Sequence, residues 1–436
     1  MQFPGLIALV AGILIALGFL VGAFINYRKK RLIDDLPTSK ALGVFIGVTE
    51  LKGTAESEEP LTSYLAEIKC VYYRWQVEEH WSRTVTETYR DSKGRTHIRT
   101  RTESGWKSVA GDEKAQPFYL KDDTGIIRIM PDKARIHGER VFSETVGRES
   151  PLYFGKGPAH EVANSDHRRR FQEIAISLHT SIYVIGQARE RQDSVAAEIA
   201  YDQSCPLFLI STRTEKQIST GYGRWFWFFL VAGLALLLGG IAVYHLIGAI
   251  RGEWLHYLIG ASGYLLFSGL IWFWLAYNNL INLHHRVEQG WSQVEIQLKR
   301  RRDLIPNLVS VVEGYRAHER EVQAAMAEMR TQMLATPPGK AGPDYKGLAK
   351  VIQVTLEKYP ELKASEIFLK LQENLVNTEE RIALARDYYN QIATFYNTRL
   401  EQVPDRYVAA IARLHPAVLM KAGDFERAPI KVQLVT

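Results

Sequence analysis

Cysteine is scarce: Cys70 and Cys205 are the only two in 436 residues. Two thiols cannot build a four-thiolate zinc site or a disulfide framework. Each lies among apolar or aromatic neighbours, the setting of a small buried hydrophobe. A Gly-rich phosphate loop, a GxSxG elbow, an HExxH pair and a Cys–His pair with a supporting motif are all missing, which removes the recognisable routes to nucleotide, acyl-transfer and zinc chemistry. No stretch is low enough in complexity to read as disordered. Charge is missing ahead of the first apolar run, Leu6 to Ile25, whereas Arg28, Lys29, Lys30 and Arg31 follow it directly. A cleaved signal peptide has the opposite order. The run of about 20 residues therefore reads as an uncleaved anchor.

Two further apolar runs, Phe226 to Ile250 and Leu258 to Tyr277, flank the short connection Arg251-Gly252-Glu253-Trp254 and form a hairpin. Trp225 and Trp227 mark one end of it, and Trp272, Trp274 and Tyr277 mark the other, as interfacial anchors. The positive-inside rule then puts the N-terminus outside the plasma (inner) membrane and both soluble regions in the cytoplasm. Gly18 and Gly22 form a GxxxG pair that either packs on another span or reflects the general frequency of glycine in spans.

No Pro or Gly-rich break follows Tyr277. Apolar residues settle instead into alternating steps of four and three, from Leu283 through Val287, Trp291, Val294 and Leu298 to Met333, interrupted by Arg301 and Glu319. A period of about 3.5 residues is the seam of a helix packed on partner helices in a coiled or bundled arrangement. Pro306 removes one backbone donor, so a kink is expected there without an end to the helix. A second long helix is expected from Ala364, with a seam from Ile367 to Tyr396, ending before Pro404. Between them a loop at Thr336–Pro343 and a short helix at Tyr345–Leu356 are expected, and an irregular tail follows His415.

From Ala41 to Thr220 the pattern changes to short strands and turns. Val71, Tyr73, Trp75 and Val77 alternate with Arg74, Gln76 and Glu78, a half-buried strand. Thr84–Arg90 and Arg95–Thr102 flank the turn Asp91-Ser92-Lys93-Gly94 as a hairpin polar on both faces. Further strands are expected at Phe118–Leu120, Ile126–Met130, Ser181–Ile185 and Leu207–Ser211, and a helix at Asn164–Ser177 capped by Asn164 or Ser165.

Two stretches resemble known families. Tyr277-Asn278-Asn279-Leu280, Trp291-Ser292-Gln293-Val294, Gln297-Leu298-Lys299-Arg300-Arg301 and Asp303-Leu304-Ile305-Pro306-Asn307-Leu308 are similar to the first helix of the LemA family. Tyr359-Pro360-Glu361-Leu362, Thr378-Glu379-Glu380-Arg381, Tyr388-Tyr389-Asn390 and Tyr396-Asn397-Thr398-Arg399 continue that resemblance, which implies a membrane-tethered antiparallel helical bundle and no particular reaction. Glu50-Leu51-Lys52-Gly53-Thr54-Ala55, Cys70-Val71-Tyr72-Tyr73-Arg74, Asp122-Asp123-Thr124-Gly125 and Pro206-Leu207-Phe208-Leu209-Ile210-Ser211 resemble the GIDE-type domain of membrane-bound mitochondrial ubiquitin ligases. In those ligases the chemistry resides in a separate RING. Here a LemA-like region stands in its place, and ligase activity is not carried over.

Together these readings give a membrane protein of the α+β class, without a catalytic, cofactor-binding or metal-ligating set. Its expected segments are a first transmembrane helix and basic flank (1–31), a β-rich GIDE-type domain (39–222), a transmembrane hairpin (225–277), a LemA-type antiparallel bundle continuous with the third span (278–415) and a tail (416–436). Asp123-Thr124-Gly125 matches the aspartic-protease tripeptide, but no second copy exists and a tight turn uses the same residues. His284-His285 and His318-Glu319 read as solvated helix faces. Two basic clusters, Arg168-Arg169-Arg170 and Lys299-Arg300-Arg301-Arg302, offer a surface for lipid headgroups or acidic partners such as Glu295 or Glu379. Nucleic acid is not expected, because no aromatic stacking platform accompanies them. The expected role is a non-enzymatic scaffold with the bilayer, copies of itself and an unidentified protein as partners; the alternative is a membrane-associated enzyme or ligase-like adaptor. The topology is testable: cysteines introduced at Gly252 and Gly339 should label oppositely with an impermeant reagent on intact cells, position 252 from outside and 339 only after lysis.

Overall fold

A computed structural model describes residues 3–90, 96–191, 196–203, 205, 207–248, 254–315 and 366–420. The chain divides into two units, Ser39–Glu215 and the combination of Met1–Thr38 with Lys216–Thr436. The turn at Asp91–Gly94, the loop at 336–343, the short helix at 345–356 and the seam beyond Tyr315 lie outside the described residues.

The first unit is built from strands. In chain order they are β1 (Thr38–Ser39), β2 (Gly47–Glu56), β3 (Leu61–Thr62), β4 (Lys69–Arg90), β5 (Thr96–Ala115), β6 (Phe118–Lys121) and β7 (Ile126–Ile129). After these come β8 (Arg135–His137), β9 (Glu139–Gly147), β10 (Ser165–Ser177), β11 (Ser181–Glu190), β12 (Ala197–Ala200) and β13 (Leu209–Ser211). One sheet closes on itself, because β2 pairs with β6, β6 with β7, β7 with β12, β12 with β11, and β11 back with β2. Closure removes free edges from these strands. Leu51, Phe118, Leu120, Ile129, Val184 and Ile199 fill the interior. A second sheet runs β3-β4-β10-β9, with β5 on β4.

The expected alternation at Val71–Val77 lies in β4, and the expected hairpin extends well beyond its sequence signal, with pairing from Tyr72↔Ala115 to Arg90↔Thr96. Its distal part is exposed on both faces, Ile98 by 71%.

Asn164–Ser177 is not a helix. Residues 165–177 form strand β10, antiparallel to β4 and β9. Burial alternates along it, with Arg169, Phe171, Glu173 and Ala175 inside. Two of those four inward positions are charged, so the period of two is hidden in a hydrophobicity pattern. Asn164 is no N-cap but sits at φ 57°, a left-handed conformation that Asn tolerates. The helix of this unit is instead α2, Pro151–Gly155, where Ser150 Oγ accepts from the Leu152 N–H at 3.3 Å and Pro starts the first turn.

The second unit is helical: α1 (Phe3–Asp34), α3 (Glu215–Gly248), α4 (Trp254–Tyr315), α5 (Glu366–Glu401) and α6 (Asp405–Ile411). Helices α1, α3 and α4 are each long and apolar enough to cross a membrane. The nearest approach of α1 and α3 is at neither Gly18 nor Gly22. A Cβ on Gly12 would lie 3.0 Å from Gly240 Cα, so these two glycines let the backbones touch. Gly22 makes ordinary contact with Phe229, and Gly18 faces open space. Tyr264 of α4 donates to the Leu230 carbonyl at 3.0 Å and joins Ala16, Leu20 and Phe24 in one apolar cluster.

Helix α4 runs unbroken for 62 residues, through Tyr277 and through Pro306. Beyond the apolar stretch it pairs with α5: Leu283, Val287 and Val294 are buried, as are Ile382, Ala385, Tyr389, Ile392 and Tyr396. At Gly290 a Cβ would make ordinary contact with Ile392 and the Tyr389 backbone, at 3.5 and 3.6 Å.

Cys70 is fully buried, while Cys205 is half-buried. Burial, with the nearby Glu173 carboxylate, pushes the Cys70 thiol up to about 11. A raised thiol value keeps the unreactive neutral form at pH 8, with a thiolate fraction about a hundredfold below that of an ordinary cysteine. Maleimide applied to the folded protein at pH 8 should therefore modify Cys205 well before Cys70, and peptide mapping with time checks the order.

Candidate functional site

The helical unit concentrates its polar chemistry where the apolar part of α1 ends. Asp35, 2% exposed, follows the last turn of that helix. Its carboxylate accepts from Arg399 Nε of α5 at 2.8 Å and from Asn279 Nδ2 of α4 at 2.8 Å. One turn earlier, the Arg31 guanidinium lies 2.9 Å from Asp405 at the start of α6 and donates to the Tyr27 hydroxyl at 2.9 Å. Trp272 Nε1 of α4 donates to the same hydroxyl at 3.1 Å. Lys30 pairs with Asp34 at 2.6 Å, and Ser219 of α3 donates to Asp34 at 2.5 Å. Four helices and the start of α6 thus converge on one cluster. Its charges are opposite and close to balanced, which is the condition for burying them. Lys30 and Arg31 of the basic run after the first apolar segment are consequently part of the fold.

Further along the pair, the Arg301 that interrupts the α4 seam is buried and forms a two-pronged ion pair with Glu379 of α5. Beyond α6 the described residues to Met420 have no regular secondary structure, as expected, and they are held by side chains of α5. Asn397 exchanges two hydrogen bonds with the Ala417 backbone, at 2.9 and 2.8 Å. Asn390 does the same with Met420, at 3.0 and 2.9 Å. Tyr389 donates to the Val418 carbonyl at 2.7 Å. Asn390 and Asn397 are two turns apart and so share a helix face. These are residues of the Tyr-Tyr-Asn and Tyr-Asn motifs, and their task here is to hold the tail against α5.

In the β-rich unit the first basic cluster is divided by the strand. Arg168 is exposed, and Arg170 pairs with Glu78 and lies over the Trp106 ring. Arg169 is completely buried and presents no surface. Its guanidinium bonds Glu79 at 3.0 Å and the carbonyls of Tyr153, Pro158 and His160 at 2.7, 2.8 and 3.0 Å. The ring of Tyr153 stacks 4.0 Å from it. Burial, reinforced by hydrogen bonds to Glu161 and Glu79, pushes the Tyr153 phenol up to about 12. Glu173, equally buried, accepts from the consecutive N–H groups of Tyr64, Leu65 and Ala66. These ions tie the loops around α2 and after β3 to the sheet, and their bonding capacity is consumed there.

On the long helix Lys299 and Arg300 are exposed, and Arg302 is half-buried, 4.0 Å from Asp303. Asp122 has the geometry of a turn residue. One oxygen accepts from Thr124 N and Gly125 N at 2.8 and 3.0 Å, and the other from Ala41 N at 2.8 Å. Asp123 is 69% exposed beside Lys40, whose hydrogen bond lowers its carboxyl. A catalytic aspartate needs a sheltered site; neither residue has one. Among the described residues no group of three or more His, Cys, Asp or Glu could hold a metal ion.

The architecture defines a class: a chain with three helices long enough to cross a membrane, one of which continues into an antiparallel helical pair, and a separate β-rich unit. Its two parts correspond to two families. Residues 290–434 match the LemA family, and residues 86–244 match the GIDE family, described as E3 Ubiquitin ligase. Protein LemA of Metamycoplasma hominis is 23% identical over 158 residues, covering 35% of this chain and 72% of that protein. Magnetosome protein MamQ 2 of Paramagnetospirillum magneticum is 22% identical over 169 residues, covering 31% of this chain and 61% of that protein. Magnetosome protein MamQ of Magnetospirillum gryphiswaldense has the same identity and coverage. The chain therefore spans about three-fifths of the magnetosome relatives.

Breaking a buried ion pair from one side leaves an uncompensated charge and costs about 3–5 kcal/mol. Arg399→Met should lower the stability of the detergent-solubilised protein by that order. Arg300→Met, on an exposed position, should stay within about 0.5 kcal/mol. Thermal unfolding of the two variants side by side checks the contrast.

Proposed function

We propose that the protein is a non-enzymatic integral membrane scaffold that self-assembles or recruits partners at the inner leaflet, its N-terminus outside and both soluble units in the cytoplasm. The observation that carries this reading is the continuity of α4 from its apolar stretch into the pair with α5. With the Asp35–Arg399 and Arg31–Asp405 contacts, it makes the apolar helices and the helical pair one mechanical body. A body so anchored positions surfaces along the membrane, and its buried charges are spent on its own fold. Of the two basic clusters, Lys299, Arg300, Arg302 and Arg168 are the positions offered to acidic partners or headgroups.

Three features support self-association. Gly18 faces open space on α1 and offers a close-packing surface to another span. Among the described residues β5 pairs on one side alone, with β4, leaving its other edge available to another strand. Ile296 and Val376 stand exposed on the helical pair, by 54% and 44%. Closed cyclic symmetry is the default form of such assemblies. A second reading, a ligase-like adaptor, rests on the GIDE match described as E3 Ubiquitin ligase; with two cysteines the chain lacks the ligands of a RING.

Native mass spectrometry of protein released by mild detergents should give a single closed oligomer. A monomer under all of them would remove self-association and leave partner recruitment, which crosslinking in native membrane followed by co-purification then tests.

A further inference from the structure

Helix α6 buries one side and leaves the other bare. Val408 and Ala409 pack against Ala276 and Leu280 of α4, with Leu400, Leu414 and Trp272 around them. Asp405 is held by Arg31. On the outer side Val403, Tyr407 and Ile411 are 67%, 64% and 68% exposed. Their spacing of four puts Tyr407 and Ile411 one turn apart on the same face, with Val403 leading into it. Three large apolar groups together outside a seven-residue helix call for a cover.

The position of the helix says what that cover is. Ala276 lies at the end of the apolar stretch of α4, between Trp274 and Tyr277, and Leu280 is one turn further. Trp274 itself is 68% exposed. Helix α6 is therefore fastened to α4 at the level where a membrane span leaves the hydrocarbon. Its outer face stands about one helix diameter, some 10 Å, to the side. At that depth a short helix with an apolar side, an aromatic residue carrying a hydroxyl and flanking cations has the composition of an interfacial segment. Arg406 and Arg413 are both exposed beside the apolar groups, placed for anionic headgroups.

We propose that α6 is an interfacial foot: Val403, Tyr407 and Ile411 are buried at the boundary between headgroups and acyl chains of the inner leaflet, beside the point where α4 emerges. The proposal rests on α4 being a span. It adds a second lipid contact, made by a part of the chain more than a hundred residues after the last span.

The test uses the full-length protein carrying Cys205→Ser, with the buried Cys70 left in place, in vesicles of phosphatidylcholine and phosphatidylglycerol. Nitroxides are attached singly at Tyr407→Cys, Ile411→Cys, Leu266→Cys on the apolar stretch and Lys299→Cys on the exposed pair. Collision rates with oxygen and with a water-soluble nickel complex are then compared. The oxygen-to-nickel ratio at 407 and 411 should lie several-fold above that at 299 and approach that at 266. A high ratio at 266 with water-like values at 407 and 411 overturns the foot while leaving the span intact. Low access to both reagents at 407 and 411 also overturns it, since a protein surface then covers the patch. A water-like ratio at 266 defeats the span itself.

Discussion

Asp35 is a carboxylate with almost no access to water, and it is stable there because two donors reach it from distant parts of the chain. Asn279 comes from the helix that carries the third apolar stretch, and Arg399 from the antiparallel helix paired with it. An anion buried without such donors would be driven to its neutral form or out of the site. The geometry of the helical unit follows from meeting that requirement. Helix α1 has to end beside α4 and α5, and α6 has to begin where Arg31 can meet Asp405. The same logic recurs in the β-rich unit, where Arg169 is paired with Glu79 and satisfied by backbone carbonyls, and Glu173 by backbone N–H groups.

The helices were readable in the sequence because their signal is long and periodic. Three apolar runs and a seam in steps of four and three survive the charge at Arg301, which pairs with Glu379 across that seam. Strand β10 was not readable, since Arg169 and Glu173 occupy inward positions and hide the period of two. The glycine contacts were legible in part. The GxxxG spacing pointed to Gly18 and Gly22, of which Gly22 meets Phe229 of α3, whereas Gly12 and Gly240 meet across two segments far apart in sequence, where no local spacing marks them. The irregular character of the tail was legible, and its attachment was not: Asn390 and Asn397 bind its backbone, and a backbone has no sequence pattern.

Mechanically, the pairing of a continuous α4 with the cluster around Asp35 leaves little room for a hinge at the end of the apolar stretch. Rotation of the helical pair relative to the apolar helices would have to bend α4 near Asn279 and separate Arg399 from Asp35 at once. Small inclinations of the apolar helices are instead transmitted along the pair as a lever transmits them, because both helices of the pair are held at the same end.

The contact between Arg399 and Asp35 closes a separation of 364 residues. A ribosome adds on the order of 5–20 residues each second, so the first helix is made long before its counter-ion exists, by an interval of tens of seconds. During that interval Arg31 has Tyr27 of its own helix, and Asp35 gains Asn279 before Arg399 is made. The first apolar segment must therefore enter its surroundings on the strength of its own sequence. Its final docking waits until the end of α5 and the start of α6 have left the tunnel. A chain cut short before Arg399 would leave the Asp35 carboxylate without its guanidinium and Arg31 without Asp405, two charges exposed as a mark of its incompleteness.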